Sequence, residues 1–208
     1  MSDYLTDEEQ LDKLRNWWER NGLVVAVAVV VAIVGVVGWS WYSDYQAERT
    51  ALASELYEDY LNAEGTERQT IGETIASEFP DSSYHVLVQL RTAGTLMAEE
   101  DAEAALTVLE AALKAARDDN LADLIRLRIA RVQQQLDRSE AALATLGQVR
   151  NIGLRVDVQE LKGDIHMARG ERREAHEAYS AALTEAGENA QRPLLEMKVA
   201  DTADTNES

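Results

Sequence analysis

The stretch Glu160 to Leu183, ELKGDIHMARGERREAHEAYSAAL, decides the fold. It holds two apolar-periodic segments separated by a Gly and a polar turn, which reads as helix, tight connection and helix. Gly163 lets the two helices approach closely, and Gly170 ends the first of them. Ala175 is the small residue expected where the second helix crosses the first, with Tyr179 and Ala182 as its further packing positions.

Two more copies lie upstream. EAALTVLEAALKAA (Glu103 to Ala116) and EAALATLGQV (Glu140 to Val149) each follow a helical segment and a short polar turn, as EAHEAYSAAL (Glu174 to Leu183) does. In these copies Ala105, Ala141 and Ala175 take equivalent places, 36 and 34 residues apart. This period resembles that of the tetratricopeptide repeat, a helix–turn–helix unit of about 34 residues. One pair cannot bury its apolar face alone, so the pairs must stack into a short right-handed array. The earlier copies read as degenerate, because Leu136 and Asp137 stand where a turn Gly is expected.

Helical signals continue towards the N-terminus. From Tyr42 to Glu64 there is no Gly or Pro, and Leu52, Leu56 and Tyr60 recur at four-residue steps, so a preceding helix can continue here as a stalk. Ile71, Ile75 and Phe79 mark a short helix ended by Pro80, after which Asp81, Ser82 and Ser83 offer N-caps for a helix from Tyr84 to Ala98. No sustained period-two pattern of β-branched and aromatic residues competes.

Leu23 to Trp41, LVVAVAVVVAIVGVVGWSW, carries no charge. At about 1.5 Å rise per residue it covers roughly 28 Å, the thickness of a bilayer's hydrocarbon core. Trp17 and Trp18 precede it and Trp39, Trp41 and Tyr42 close it, the belt of amphipathic rings found at membrane interfaces. A cleaved signal peptide is the alternative, but the run is long for one and no small-x-small cleavage site follows. Lys13, Arg15 and Arg20 lie before the span and only Arg49 in the twenty residues after it, which favours a cytoplasmic N-terminus and an exported C-terminal domain. The expected class is therefore all-α: a single N-terminal transmembrane helix followed by a tetratricopeptide-repeat-like α-solenoid. Its divisions are an N-terminal segment 1–21, a transmembrane helix 22–42, a repeat domain 43–199 and a disordered acidic tail 200–208.

Composition narrows the function. The 208 residues include no Cys, which excludes disulfides, thiolate metal sites and cysteine nucleophiles. Acidic residues outnumber basic ones 38 to 20, so a grip on nucleic-acid backbones is not expected. Six of the acidic and three of the basic residues precede the span, leaving 32 and 17 after it. Such a surface attracts basic segments of partners and is repelled by anionic lipid, although solubility alone also explains it. His85, His166 and His176 are the only imidazoles; the last two fall on the two helices of one hairpin, but no third His stands at ligand spacing. With no phosphate loop, Ser-centred elbow or paired metal-binding His, neither an enzyme nor a cofactor is expected.

The acidic N-terminal segment, the Trp-flanked anchor and the run LIRLRIARVQQQLDRSEAALATL (Leu124 to Leu146) together resemble the ancillary SecYEG translocon subunits of the YfgM type, from Gram-negative bacteria. LRIARVQ (Leu127 to Gln133), the hairpin from Leu161 to Leu183 and PLLEMKV (Pro193 to Val199) carry the resemblance best. It implies an inner-membrane protein with a periplasmic repeat domain, which scaffolds chaperone action on newly exported proteins. The partners implied are the SecYEG translocon, a membrane-anchored periplasmic chaperone of the prolyl-isomerase-like type and exported clients, with no catalytic residue to carry over. A membrane-tethered assembly factor for envelope or cytochrome complexes is the alternative on the same fold.

Two surfaces are candidates for binding. Ala28, Ala32 and Gly35 form a small-residue stripe on the span, where another membrane helix can come close. On the first helices of the repeat pairs, Arg126, Ala130 and Gln133, and Asp157, Glu160, Asp164 and Met167, fall off the apolar stripe and can line a partner groove or an ordinary solvated face. Met167 offers a soft contact for unfolded segments.

Overall fold

The computed structural model describes residues 7–187 and 192–203, and among these all regular structure is helical. Nine α-helices follow one another among the described residues: α1 (Asp7–Asn62), α2 (Gly65–Glu78), α3 (Ser83–Ala98), α4 (Ala102–Ala115), α5 (Asp119–Gln135), α6 (Ser139–Leu146), α7 (Arg155–Ala168), α8 (Arg172–Ala186) and α9 (Pro193–Thr202). A 3₁₀ turn, Ile152–Leu154, precedes α7. The chain divides into two compact units between Leu52 and Ala53.

The first unit is the bulk of α1. With no Pro to interrupt it, the apolar run continues into the polar stretch after Tyr42 as one helix. Among the described residues one helical stretch, Leu11–Asn62, is long and apolar enough to cross a membrane. Its most apolar window has a mean hydropathy of 2.7 and is buried nowhere.

The second unit begins with the last turns of α1. Tyr60 packs with Ile75 of α2 and Val88 of α3 in a small core, and the Tyr84 hydroxyl donates to Ser54 Oγ at 2.9 Å. Pro80 follows the end of α2, and Ser82 caps α3 by accepting from the Tyr84 N–H at 3.1 Å. Asp101 caps α4 through the Ala104 N–H, and Asp118 caps α5 through the Leu121 N–H.

From α3 onward the helices form pairs α3/α4, α5/α6 and α7/α8, closed by α9. Their register is set by small residues. Ala93, Ala130 and Gly163 are buried small residues at equivalent places on the first helices, and Ala105, Ala142 and Ala175, each fully buried, hold equivalent places on the second. The spacing is twelve residues within every pair, and 37 and 33 between pairs. Leu109, Leu146 and Tyr179, one turn further on, fill the space between the crossing helices. Ala142 thus holds the place expected for Ala141, which is exposed. Two alanines follow Glu103 and Glu140 where one follows Glu174, so spacing from the Glu does not fix which of them lies at the crossing point, and the helix Cβ pattern tolerates no one-residue slip.

The turns obey the same register. Glu100, Asp137 and Gly170 have φ of 63°, 58° and 76°, so all three repeats close with a left-handed residue although only the last supplies Gly. Asp137 is therefore no sign of a degenerate turn. At the C-terminus, α9 includes Ala200 to Thr202, residues expected in a disordered tail; Thr202 is buried, with its hydroxyl on the Lys198 carbonyl at 2.7 Å. Residues 204–208 of that tail lie outside the described residues.

Candidate functional site

On α1, Trp17, Trp18, Trp39, Trp41 and Tyr42 are all at least half exposed. The two tryptophan groups are about 32 Å apart along the axis at 1.5 Å per residue, a membrane's span. Trp41 stacks on Tyr45, and Gln46 donates to the Tyr42 hydroxyl at 2.8 Å. Ala28, Ala32 and Gly35 are exposed, and a side chain at Gly35 would meet nothing within 4 Å.

The first helices of the pairs, α3, α5 and α7, carry the face expected to line a partner groove, here called the inner face. The repeat register places Leu90, Leu127 and Glu160 at one level of it, Gly94, Arg131 and Asp164 at the next, and Met97, Gln134 and Met167 at a third. At its C-terminal end the face is occupied from within. Lys198 of α9 donates to Glu160 at 2.8 Å and to Asp164 at 2.7 Å, and its ammonium lies 5.4 Å from the centre of the Tyr179 ring. Tyr179 donates to Asp164 at 2.7 Å, while Met167 packs against the core that Leu195 completes. Burial alone would lower the Lys198 pKa, but the Asp164 and Glu160 carboxylates outweigh it and hold it above the ordinary lysine value. For Tyr179, burial and then the Asp164 carboxylate both push the phenol up. Three of the expected groove residues, Glu160, Asp164 and Met167, thus hold α9, while Asp157 remains half-buried on α7.

Towards the N-terminal end a groove of about 330 Å³ separates α3 from α5. Leu90, Ala93, Met97 and Leu109 give it an apolar floor, and Arg128 and Arg131 of α5 line its other side. Among the described residues neither arginine has an ion-pair or hydrogen-bond partner.

Arg126 and Gln133 have internal duties. Gln133 Oε1 accepts from Thr145 at 2.9 Å, tying α5 to α6. Arg126 donates to Asp123 at 2.6 Å, and Asp123, only 4 % exposed, also accepts from the backbone N–H groups of Arg150 and Asn151 at 2.8 Å each. Asp123 is a residue that sequence reasoning missed: one carboxylate on an otherwise apolar helix face was its signal. Burial raises its pKa, but the two backbone donors and the Arg126 guanidinium together hold it below the usual carboxylate value. The imidazoles are also spoken for, since His166 pairs with Glu171 at 2.6 Å and His176 Nδ1 lies 3.2 Å from both the Val199 carbonyl and the Thr202 hydroxyl of α9. His85 sits 3.0 Å from the Pro80 carbonyl.

Comparison with known proteins adds to this geometry. The chain matches the tetratricopeptide repeat-like domain family over residues 15–204. It is 29% identical over 198 residues to the ancillary SecYEG translocon subunit of Haemophilus influenzae, covering 94% of this chain and 97% of that relative. With the ancillary SecYEG translocon subunit of Escherichia coli it shares 28% identity over 202 residues, 96% of this chain and 98% of the relative. Among solved structures, a thermophilic tetratricopeptide repeat protein of Thermus thermophilus superposes with a TM-score of 0.49 at 19% identity, over 65% of this chain and 71% of that one.

Proposed function

This chain belongs to the tetratricopeptide repeat-like domain family, and from that premise we propose that it is a non-catalytic, single-span inner-membrane companion of the Sec translocon. The observation that carries the reading is the match to ancillary SecYEG translocon subunits over nearly the whole of both chains, anchor included. Its N-terminus stays in the cytoplasm and its repeat array stands in the periplasm, as the basic residues before the span favour. There the array scaffolds a membrane-anchored, prolyl-isomerase-like chaperone acting on newly exported proteins.

Labour divides between anchor and array. Lipid is as apolar as a Val-rich helix, so contact with translocon helices has to come from close packing along Ala28, Ala32 and Gly35. A chaperone's exported domain reaches only the array, whose inner face is its docking surface. The test is co-purification of full-length protein from detergent extracts. Changing Ala28, Ala32 and Gly35 together to Leu keeps the span apolar and should reduce recovery of SecYEG while the chaperone is retained. Recovery of neither partner with the unaltered chain would refute the reading. Protease added to spheroplasts should remove the array and spare the N-terminal segment; protection of the array would reverse the assigned orientation.

A further inference from the structure

We propose that the groove between α3 and α5 binds an extended protein segment that inserts a carboxylate side chain flanked by apolar ones. This deepens the assignment of the inner face as a docking surface and rests on it. The chain's own repetition points to such a ligand. In the last repeat, Glu160 and Asp164 present carboxylates that hold the cation of the next inner-face helix, Lys198, and the Tyr179 ring fills the floor beneath them. In the first repeat the same levels carry Leu90 and Gly94, and Leu109 replaces the tyrosine. The next inner-face helix again supplies cations, Arg128 and Arg131, but the carboxylate that would meet them is missing and a cavity of about 330 Å³ stands in its place.

A chain with 38 acidic residues against 20 basic ones has no shortage of carboxylates, yet none among the described residues pairs with these two guanidinium groups. A guanidinium fork receives a carboxylate with two parallel hydrogen bonds, which a lysine or an amide on the ligand cannot reproduce. The apolar floor selects aliphatic neighbours on the same segment. Selectivity here opposes the field of the whole protein: the net charge of −18 attracts basic segments at a distance, but within a Debye length of about 8 Å the local arginines decide.

The experiment uses the full-length protein in lipid nanodiscs and a fluorescein-labelled, end-blocked peptide Gly-Leu-Glu-Leu-Glu-Leu-Gly, with anisotropy as the readout. The glutamate peptide should bind, lose affinity as salt rises, and bind at least about tenfold better than versions with Gln or Lys at the two acidic positions. Arg128→Gln with Arg131→Gln should weaken it by about tenfold or more. Gly94→Asp supplies the missing carboxylate from the chain itself and should abolish binding; a Cβ there meets nothing within 4 Å, so the fold is kept, as circular dichroism checks. Should the double arginine variant fail to fold, Gly94→Asp and the peptide series decide alone. No binding of the glutamate peptide, equal binding of the glutamine or lysine peptide, or undiminished binding by folded Gly94→Asp would each overturn the proposal. Co-purification of SecYEG with the unaltered chain separates the readings: it persists if only the groove assignment fails, and it is absent if the translocon reading fails.

Discussion

The ring of Tyr179 occupies the space that a side chain on Gly163 would need: a Cβ there would lie 2.3 Å from the ring's Cε1 and 2.4 Å from Cδ1. Two helices can cross this closely only because one of them presents bare backbone. The tyrosine is buried to 3 % exposure and anchored by its bond to Asp164, so it has little freedom to give way.

Gly163→Ala is therefore expected to destabilise the array by about 1–3 kcal/mol through overpacking, outweighing the gain of up to about 1 kcal/mol that Ala brings to a helix. Gly94→Ala is the control, because a Cβ there meets nothing within 4 Å, and it should stabilise by the helix-propensity gain alone. Urea midpoints of the two variants check this. Equal midpoints would mean that the tyrosine ring moves freely.

The alkaline limb of stability should report the α9 clasp. Lys198 has a folded pKa above its unfolded value near 10.5 and Tyr179 one above 10.0. A raised folded pKa contributes stability that is fully present below the unfolded pKa and lost as pH rises through the folded one. Melting temperature should accordingly fall above about pH 10, and Lys198→Met should flatten that fall while lowering stability at neutral pH, since Glu160 and Asp164 then face each other without a cation. An unchanged alkaline limb in Lys198→Met would show that the clasp contributes nothing.

Asp123 governs the opposite limb. Its folded pKa lies below the ordinary value of 3.8, so its contribution is present above that value and lost as pH falls through the folded one. Asp123→Ala leaves two backbone N–H groups and Arg126 without their acceptor and should cost about 3 kcal/mol at neutral pH. Asp123→Asn keeps an acceptor but removes the titration, so its acid unfolding should lose the corresponding pH dependence. Hydrogen exchange at Arg150 and Asn151 reads the same event locally, and slow exchange at both in Asp123→Ala would contradict it.

What the sequence revealed follows from how local each signal is. The helix pairs, the span, the cap at Ser82 and the stop at Pro80 rest on contacts within a few residues, and pattern alone exposed them. The repeat was visible because Gly163, Gly170, Ala175 and Tyr179 lie in one short stretch. Its middle copy slipped by one residue because Ala141 and Ala142 are adjacent and only burial tells them apart. The Lys198 clasp was out of reach: its partners Asp164 and Glu160 stand 34 and 38 residues away, and no local spacing encodes that meeting. For the same reason the groove residues expected on α7 include ones that the chain uses to hold its own last helix, and no local pattern marks Arg128 and Arg131 as unpaired.

At the three repeat turns one backbone conformation is occupied by three residue types. Glu100, Asp137 and Gly170 all have positive φ at the same register. A side chain in this region costs roughly 1 kcal/mol or more because Cβ crowds the following carbonyl, and Asp bears it better than Glu because its short side chain can bond locally. Gly removes the strain but loses more entropy on folding, a penalty of about 0.5–1 kcal/mol that partly cancels the gain. Glu100→Gly should therefore stabilise by a few tenths of a kcal/mol up to about 1, Asp137→Gly by less or not at all, and Gly170→Ala should destabilise by about 1 kcal/mol. The order of the three matters more than the sizes, because all are read from denaturation midpoints of one protein with one slope. If Gly170→Ala proves neutral while Glu100→Gly destabilises, the left-handed turn is not shared by the repeats, and the register built on Ala93, Ala130 and Gly163 loses its independent support.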